Sequence, residues 1–237
     1  MRSTSKVLFF DHALQMGGAE YSLMDIISEI RRFEPIFVAP FAKTPLYSEL
    51  KRLDVKCIPF PMPHSVLSRK RQKMFSISDI YNIPVLIIKF LKLLRKERPS
   101  LVYTNTQKAH FIGIIAAKIA RIPCVCHFRD ILPKSLVTKV WLSIIYTLAV
   151  RIIAISQAVA REFPLREKIR VIYNGIKINS VPCNNDNANP KVGYMGQIAR
   201  WKGVDYFIKA VSIIAEKVKN VSFEVIGSPI FGDSFGF

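Results

Sequence analysis

The sequence has few of the residues that build metal sites or disulfide frameworks. Its 237 residues include four cysteines, none in a CxxC pair, and four histidines without the spacing of metal ligands. We therefore expect neither a structural metal nor a disulfide scaffold. Cys124 and Cys126 lie two apart in an apolar run, so they should point to one face of a strand and pack as small hydrophobic side chains. These features predict a reduced, cytosolic compartment.

Long apolar segments are also scarce. The N-terminal stretch MRSTSKVLFFDHAL is broken by polar residues after four apolar ones, so no secretory signal peptide is expected. Residues 140–156, VWLSIIYTLAVRIIAIS, fall short of the roughly 20 apolar residues that span a bilayer, and Arg151 interrupts them. We interpret this stretch as a buried helix that leads into a strand.

Acidic residues are outnumbered: 35 Lys and Arg stand against 17 Asp and Glu, a formal net charge of +18. This excess favours an anionic partner, which is a nucleic acid, an acidic membrane surface or a phosphorylated small molecule. The basic clusters are SRKRQKM (68–74) and KFLKLLRKER (89–98), and the second is amphipathic, with Phe90, Leu91, Leu93 and Leu94 among its cations. Each cluster is either a solvated face or a patch that docks on anionic lipid. Neither has the interleaved aromatic residues of a base-stacking platform, so nucleic acid is disfavoured.

Strand-like and helix-like segments alternate along the first three quarters of the chain. Apolar runs typical of strands buried on both faces are found at 6–10, 35–39, 55–60, 101–105, 124–130, 151–156 and 169–175. Segments with helical periodicity lie between them. Residues 1–176 are therefore predicted to form an α/β domain, a Rossmann-like doubly wound parallel sheet of seven strands.

The alternation then stops and restarts. Residues 177–190 are polar, rich in Asn and without periodicity, which predicts a linker. From 191 to 237 the order is strand, helix, strand: KVGYMG, VDYFIKAVSIIAEKV and VSFEVIG. Two strands and one helix cannot cover their own sheet, so we expect the incomplete start of a second Rossmann-like domain.

A glycine pair opens the first predicted helix, in QMGGAEYSL (15–23). Gly17 and Gly18 let the backbone approach a ligand, and free N–H groups at the start of the helix attract phosphate. The alternative is a tight turn that needs glycine for its geometry alone. The motif is not GxGxxG, which disfavours NAD. Glu20, in the first turn, is interpreted as a partner of the helix dipole.

Two further stretches carry polar residues suited to chemistry. VCHFRDIL (125–132) places His127, Arg129 and Asp130 where a strand ends; the histidine could carry a proton or donate to a hydroxyl, and the arginine could hold a phosphate. A hydrogen-bonded structural histidine is the alternative. GQIARWKG (196–203) offers Arg200 and Lys202 beside a helix start, either to neutralise a diphosphate leaving group or as a solvated basic turn.

The motifs together resemble glycosyltransferase family 4, in the order of that family. They are GGAE after the first strand, LVYTNTQKAHFIGIIAAKIARIP, RIIAISQAV, IRVIYNGI, VGYMGQIARWKGVDYFIKAV and VSFEVIG. The resemblance implies the GT-B fold, in which two Rossmann-like domains face each other across a cleft. It also implies retaining transfer of a sugar from a nucleotide-diphosphate sugar to an acceptor hydroxyl, with no essential metal. The first domain would bind the acceptor and the second the donor.

The resemblance also assigns residues. His127 and Asp130 stand for the family's catalytic positions, although the family usually has its acidic or polar residue closer to the histidine. By the resemblance, Gly17 and Gly18 lie near the donor diphosphate and the acceptor, and Lys202 binds the diphosphate. Arg129, Gln197 and Arg200 complete the set of residues predicted to bind the donor or its phosphates. Gln197 replaces an arginine that is frequent in the family, and Asn174 and Gly175 match the NG before the linker. The E-x7-E segment, whose glutamates hold the donor, has no counterpart.

The resulting prediction is a glycosyltransferase of polysaccharide or glycolipid assembly, in a C-terminally truncated form. Its expected partners are a nucleotide sugar and a glycan or lipid-linked acceptor. Its basic surface suggests peripheral association with the inner face of the membrane. The alternative is a non-catalytic module that binds an acceptor or a membrane and has lost the donor domain.

Overall fold

The computed structural model describes residues 5–67, 77–176, 190–199 and 202–228. The basic cluster 68–74, most of the predicted linker and Arg200 lie outside these ranges. The chain divides into two compact units, Met1–Ile176 and Lys177–Phe237.

The first unit is built on a seven-stranded sheet in which every neighbouring pair of strands is parallel. Its strands are β1 (Lys6–Phe10), β2 (Glu34–Ala39), β3 (Lys56–Pro59), β4 (Leu101–Thr104), β5 (Cys124–Phe128), β6 (Arg151–Ala154) and β7 (Ile169–Val171). The order across the sheet is β3-β2-β1-β4-β5-β6-β7. The predicted doubly wound Rossmann-like sheet is therefore confirmed.

Helices connect the strands. They are α1 (Gly18–Glu29), α2 (Pro45–Arg52), α3 (His64–Leu67), α4 (Ile77–Glu97), α5 (Gln107–Ala120), α6 (Leu136–Leu148) and α7 (Gln157–Ala160). Several begin at a capping side chain: Thr44 accepts a hydrogen bond from the Tyr47 amide, and Ser135 from the Thr138 amide. Helix α4 runs through Pro84, and α3 is a single helical turn of four residues. Among the described residues, no helix combines the length and hydrophobicity that a bilayer-spanning segment requires.

The strand order reverses between β1 and β4. The chain winds outward from β1 through β2 to β3, crosses back through α4, and winds the other way from β4 to β7. Phe9 of β1 pairs with Phe37 of β2 on one side and with Tyr103 of β4 on the other. In open α/β sheets, ligands bind outside the carboxyl ends of the strands at such a reversal. The topology thus predicts that a ligand site lies among the residues that follow β1 and β4.

Each face of the sheet has its own core. On one face, residues of α4, α5 and α6 pack on β1, β4, β5 and β6; on the other, α1 and α2 pack on β1 and β2. Cys124 and Cys126 are buried together in the first core, as predicted, and residues 136–154 form α6 followed by β6, not a membrane span. The apolar residues of the cluster 89–98 face this core: Phe90 and Leu94 are fully buried, whereas the lysines of α4 are exposed. The apolar residues of that cluster thus belong to the core, and its lysines form an exposed cationic surface.

The second unit contains β8 (Lys191–Met195), α8 (Val204–Lys217) and β9 (Ser222–Ile226), with β8 and β9 paired in parallel. Large apolar side chains on all three elements are exposed, among them Met195, Tyr206, Ile213 and Val225. Within the described part of this unit, two strands and one helix are too few elements to cover such side chains, which therefore remain in water.

Candidate active site

A buried carboxylate and a buried amide meet at the reversal of the sheet. Asp11 follows β1 and Asn105 follows β4, and each is at most 3% exposed. Asn105 Nδ2 donates to Asp11 Oδ2 at 2.7 Å, and the Ala13 amide donates to Asp11 Oδ1 at 2.7 Å. Thr106 Oγ1 lies 3.4 Å from the same oxygen. These donors satisfy the carboxylate, yet burial still raises the pKa of Asp11.

Arg129 connects this pair to the rest of the site. Its Nε donates to Asn105 Oδ1 at 2.9 Å, its Nη1 to Asn174 Oδ1 at 2.9 Å, and its Nη2 to His127 Nδ1 at 3.1 Å. The planar guanidinium therefore binds residues that follow β4 and β7 as well as a residue of β5. Of the described residues at this edge, Arg129 supplies the positive charge near the Asp11 and Glu20 carboxyls.

The contacts of His127 determine which of its ring nitrogens carries the proton. Arginine can only donate, so Nδ1 accepts from Arg129, and the Tyr103 hydroxyl lies 2.5 Å from the same nitrogen. The proton of the neutral ring is thus on Nε2, which is buried and has no hydrogen-bond partner within the described part of the chain. Burial, and then the charge of Arg129, lower the pKa of His127 from 6.5 to about 3. His127 is therefore neutral at pH 7 and suited to donate a hydrogen bond, not to accept a proton as a base.

The glycine loop lies at the start of α1. Glu20 Oε2 accepts a hydrogen bond from the Gly17 amide at 2.8 Å, which closes the loop onto the first turn of the helix. A Cβ on Gly17 would lie 3.1 Å from that oxygen, whereas a Cβ on Gly18 would meet no atom within 4 Å. Gly18 thus leaves open space beside the first helical turn. Glu20 is buried in the first turn of α1, where the sequence placed a partner of the helix dipole, and it also holds the glycine loop through the Gly17 amide.

Glu20 makes stability depend on pH. Burial, and then the charge of Asp11, raise the pKa of Glu20 from 4.5 to about 7. The folded state binds this proton more tightly than the unfolded state, so its stabilising effect is present at low pH and is lost as pH rises from 4.5 towards 7. We expect the unfolding free energy of the native chain, relative to Glu20→Gln, to fall by about 2 kcal/mol between pH 5 and pH 8.

Urea unfolding of both proteins at the two pH values measures this change. Glu29→Gln, on the exposed side of the same helix, is the control for the loss of one carboxylate. A pH dependence that is the same in the native chain and in Glu20→Gln would show that Glu20 does not titrate differently in the folded state.

The remaining predicted residues fall in different places. Asp130 is exposed on the loop after β5, where its charge acts on Arg129. In the second unit, Lys202 is exposed just before α8, and the buried Gln197 Nε2 has no hydrogen-bond partner among the described residues. The Tyr194 hydroxyl donates to the carbonyl of Gln197 at 3.0 Å and lies 3.4 Å from that of Lys202, so it braces this loop.

Sequence reasoning missed Asp11, Tyr103, Asn105 and Thr106. A signal was present, because Asp11 and Asn105 are polar residues placed directly after two buried strands. Only the order of the strands shows that these two ends are neighbours. The described residues contain no group of three His, Cys, Asp or Glu side chains placed to hold a metal ion.

Two cavities lie at opposite edges of the sheet. One, of about 470 Å³, is lined by Leu14, Phe41, Ala42, Lys43 and Thr44 after the ends of β1 and β2. The other, of about 670 Å³, lies at the amino ends of β1 and β4, with Lys6 and Arg98 in its wall. The second is larger, but the first is at the carboxyl edge, where open α/β sheets bind ligands, and its wall includes Leu14, three positions after Asp11.

Comparison with known proteins identifies the family. The sequence model of Glycosyltransferase Family 4 matches residues 16–180, which include Gly17, Gly18, His127 and Arg129. The chain belongs to glycosyltransferase family 4. This family 4 chain is also 30% identical to the capsular polysaccharide biosynthesis glycosyltransferase CapM of Staphylococcus aureus, over 60% of this chain and 44% of CapM.

Solved structures agree with this assignment. Anabaena Alr3699/HepE, crystallised in complex with UDP and glucose, is 28% identical, with a TM-score of 0.71 over 96% of this chain and 62% of HepE. The lipopolysaccharide outer core galactosyltransferase WaaB is 17% identical, with a TM-score of 0.62, and shows likeness of fold alone. The family 4 chain thus spans less than half of CapM and less than two thirds of HepE.

Proposed function

We propose that this chain is a glycosyltransferase that moves a sugar from a nucleotide-diphosphate sugar to an acceptor hydroxyl in polysaccharide or glycolipid assembly. The observation that carries the proposal is the polar network at the reversal of the sheet, in a chain of family 4. There the neutral His127 offers an N–H that has no partner among the described residues, Arg129 supplies a positive charge, and Gly18 leaves open space beside a helix start. HepE, of the same fold, binds UDP and glucose.

Each residue has a proposed role in this reaction. Arg129, with Gly17 and Gly18 at the start of α1, would stabilise negative charge on the diphosphate, since preorganised donors act most strongly where charge develops. His127 would donate from Nε2 to an oxygen of the sugar, and Asp130 would lie at the mouth of the site. The apolar wall of Leu14 and Phe41, beside Lys43, would contact the acceptor.

The second unit would supply the first part of the donor-binding domain. Lys202 and Gln197, with Arg200 between them in sequence, would contact the diphosphate in this proposal. The exposed apolar side chains of β8, β9 and α8 support it, because a larger sheet would cover them. We further propose that the enzyme acts in the cytoplasm, peripherally on the inner face of the membrane, where a lipid-linked acceptor would be presented.

A non-catalytic module that binds an acceptor is the second candidate. It is favoured by the contrast between the first unit, whose sheet is covered by helices on both faces, and the exposed second unit. Hydrolysis or transfer from a panel of nucleotide sugars, compared between this chain and one extended through a full second domain, separates the two. Turnover by the chain as it stands would eliminate the module, and turnover by neither form would eliminate the enzyme.

A size series at Gly18 tests the ligand space directly. Gly18→Leu fills the open space beside α1 and is expected to weaken binding of UDP-glucose, measured by calorimetry, by about tenfold or more, which is 1.4 kcal/mol. Gly18→Ala is the matched control, since its Cβ meets no atom within 4 Å. Both variants should unfold at the same denaturant concentration as the native chain. Native affinity in Gly18→Leu would show that no ligand approaches this turn.

A further inference from the structure

Charge is distributed unequally between the two helical layers of the first unit. Helices α1 and α2 carry more acidic than basic residues: Glu20, Asp25, Glu29 and Glu49 against Lys51 and Arg52. Helices α4, α5 and α6 carry seven cations against two acids: Lys89, Lys92, Arg95, Lys96, Lys108, Lys118 and Lys139 against Asp79 and Glu97. Glu97 is buried and ion-paired with Lys56. Among these helices, the excess of positive charge is therefore carried by α4, α5 and α6.

Helix α6 adds an exposed aliphatic stripe to this cationic layer. Leu136, Val137, Val140 and Ile144 are between 41% and 77% exposed, and their spacing places them on the outward arc of the helix. Lys134, just before the helix, and Lys139, at the edge of the arc, are exposed beside them. No acidic residue occurs between Asp130 and Glu162. We call these four aliphatic and two basic residues the α6 face.

The α6 face is not part of the core. Trp141, Leu142 and Ile145 turn to the opposite side of the helix and are buried against the sheet and α5. Helix α4 buries Leu86 and Leu94 in the core but leaves Val85 and Ile88 half exposed, at 50% and 54%, so it adds two aliphatic side chains as well as its exposed lysines to the same layer. Aliphatic side chains that remain in water on a cationic layer call for a partner that is both apolar and anionic.

We propose that the α6 face inserts into an anionic lipid bilayer and that the lysines of α4 and α6 bind its headgroups. Aliphatic residues flanked by lysines fit the boundary between headgroups and acyl chains, whereas a single-stranded nucleic acid would need aromatic stacking platforms. The proposal rests on the proposed function in one respect: a lipid-linked acceptor would reach the site from the surface on which the α6 face docks.

Cosedimentation of the full chain with vesicles of phosphatidylglycerol and phosphatidylcholine tests the charges. Lys134→Glu/Lys139→Glu is expected to lower the partition coefficient by about tenfold or more, since each basic residue near the surface contributes measurably to binding. The control, Arg32→Glu/Lys51→Glu, makes the same change in net charge at exposed positions after α1 and on α2. It is expected to lower the partition coefficient by less than about threefold. Equal losses in the two variants would mean that net charge alone drives binding.

The aliphatic residues are tested at constant charge. Leu136→Gln/Val140→Gln is expected to lower partition by about tenfold, and Leu53→Gln, at an exposed leucine on the α2 side, is the control. A circular dichroism spectrum like that of the native chain shows that the double variant is folded. The single variant Leu136→Gln, which perturbs the helix less, is measured beside it. Unchanged partition in Leu136→Gln/Val140→Gln would overturn the proposal, as would equally tight binding to oligonucleotides or a dimer in light scattering that these substitutions disrupt.

Vesicle binding requires no nucleotide sugar, so its result is independent of catalysis. If the chain binds vesicles through the α6 face but hydrolyses no nucleotide sugar, the membrane-binding proposal stands and the proposed enzyme activity is wrong. If the chain turns over nucleotide sugars but does not partition onto anionic vesicles, the enzyme activity stands and the membrane-binding proposal is wrong.

Discussion

Phe90→Ala is expected to lower the free energy of unfolding by about 3 to 5 kcal/mol. Phe90 is fully buried, and its ring stacks on Phe10 with centroids 4.5 Å apart and meets Phe60 edge-on at 5.4 Å. Removing the ring loses apolar burial and leaves a cavity that the two other rings cannot fill. The neighbouring lysines make this helix resemble a membrane-binding segment in sequence, but the largest effect should be on folding.

Denaturant unfolding of Phe90→Ala beside Phe90→Leu and Lys92→Ala measures the effect. Phe90→Leu keeps most of the buried volume and is expected to cost about 1 kcal/mol, and Lys92→Ala, on the exposed side of α4, less than about 0.5 kcal/mol. A Phe90→Ala protein of native stability that binds vesicles poorly would place this ring on the surface and contradict the core described above.

Asp11→Ala is expected to destabilise the fold by about 4 kcal/mol. Its carboxylate accepts from the Ala13 amide and from Asn105, and Thr106 Oγ1 lies at hydrogen-bond distance. Each buried donor left without an acceptor costs about 1 to 3 kcal/mol, and Arg129 would also lose a nearby opposite charge. Relief of the buried charge offsets part of this loss. Asp11→Asn, which keeps one acceptor oxygen, should cost about half as much.

A double-mutant cycle of Asp11→Ala with Asn105→Ala isolates the contact between the two strand ends. Because the two side chains share a 2.7 Å hydrogen bond, their effects on unfolding should fail to add by at least about 1 kcal/mol. Additive effects would mean that the two residues act separately and that the reversal of the sheet holds no connected network.

The candidate site illustrates how far local sequence leads. The glycine pair, His127 and Arg129 could be found from sequence because each follows or precedes an element with a clear hydrophobic pattern. Asp11 and Asn105 could not be paired in this way, since 94 positions separate them. The protonation of His127 was equally out of reach, because it depends on donors from Tyr103 and Arg129 that meet the ring only in the folded chain.

The same division holds for the surface. The excess of lysine and arginine is a property of composition, but the position of the cations of α4, α5 and α6 on one side of the sheet follows from the crossover that carries α4 back across it. Phe90 and Leu136 both lie close to a lysine in sequence: Lys89 directly precedes Phe90, and Lys134 lies two positions before Leu136. Phe90 is buried because it lies on the side of α4 that packs on the sheet, whereas Leu136 is exposed because it lies on the outward side of α6.

The sequence by itself determined the strands, the helices and the change of pattern after residue 176, because apolar runs and helical periodicity are local properties of the chain. Tertiary structure alone decided the strand order, the meeting of Asp11, Asn105 and Arg129, and the aliphatic side chains left in water on α6. These depend on which distant segments pack together, and that is settled by burying the apolar surface of the whole sheet rather than by any one segment.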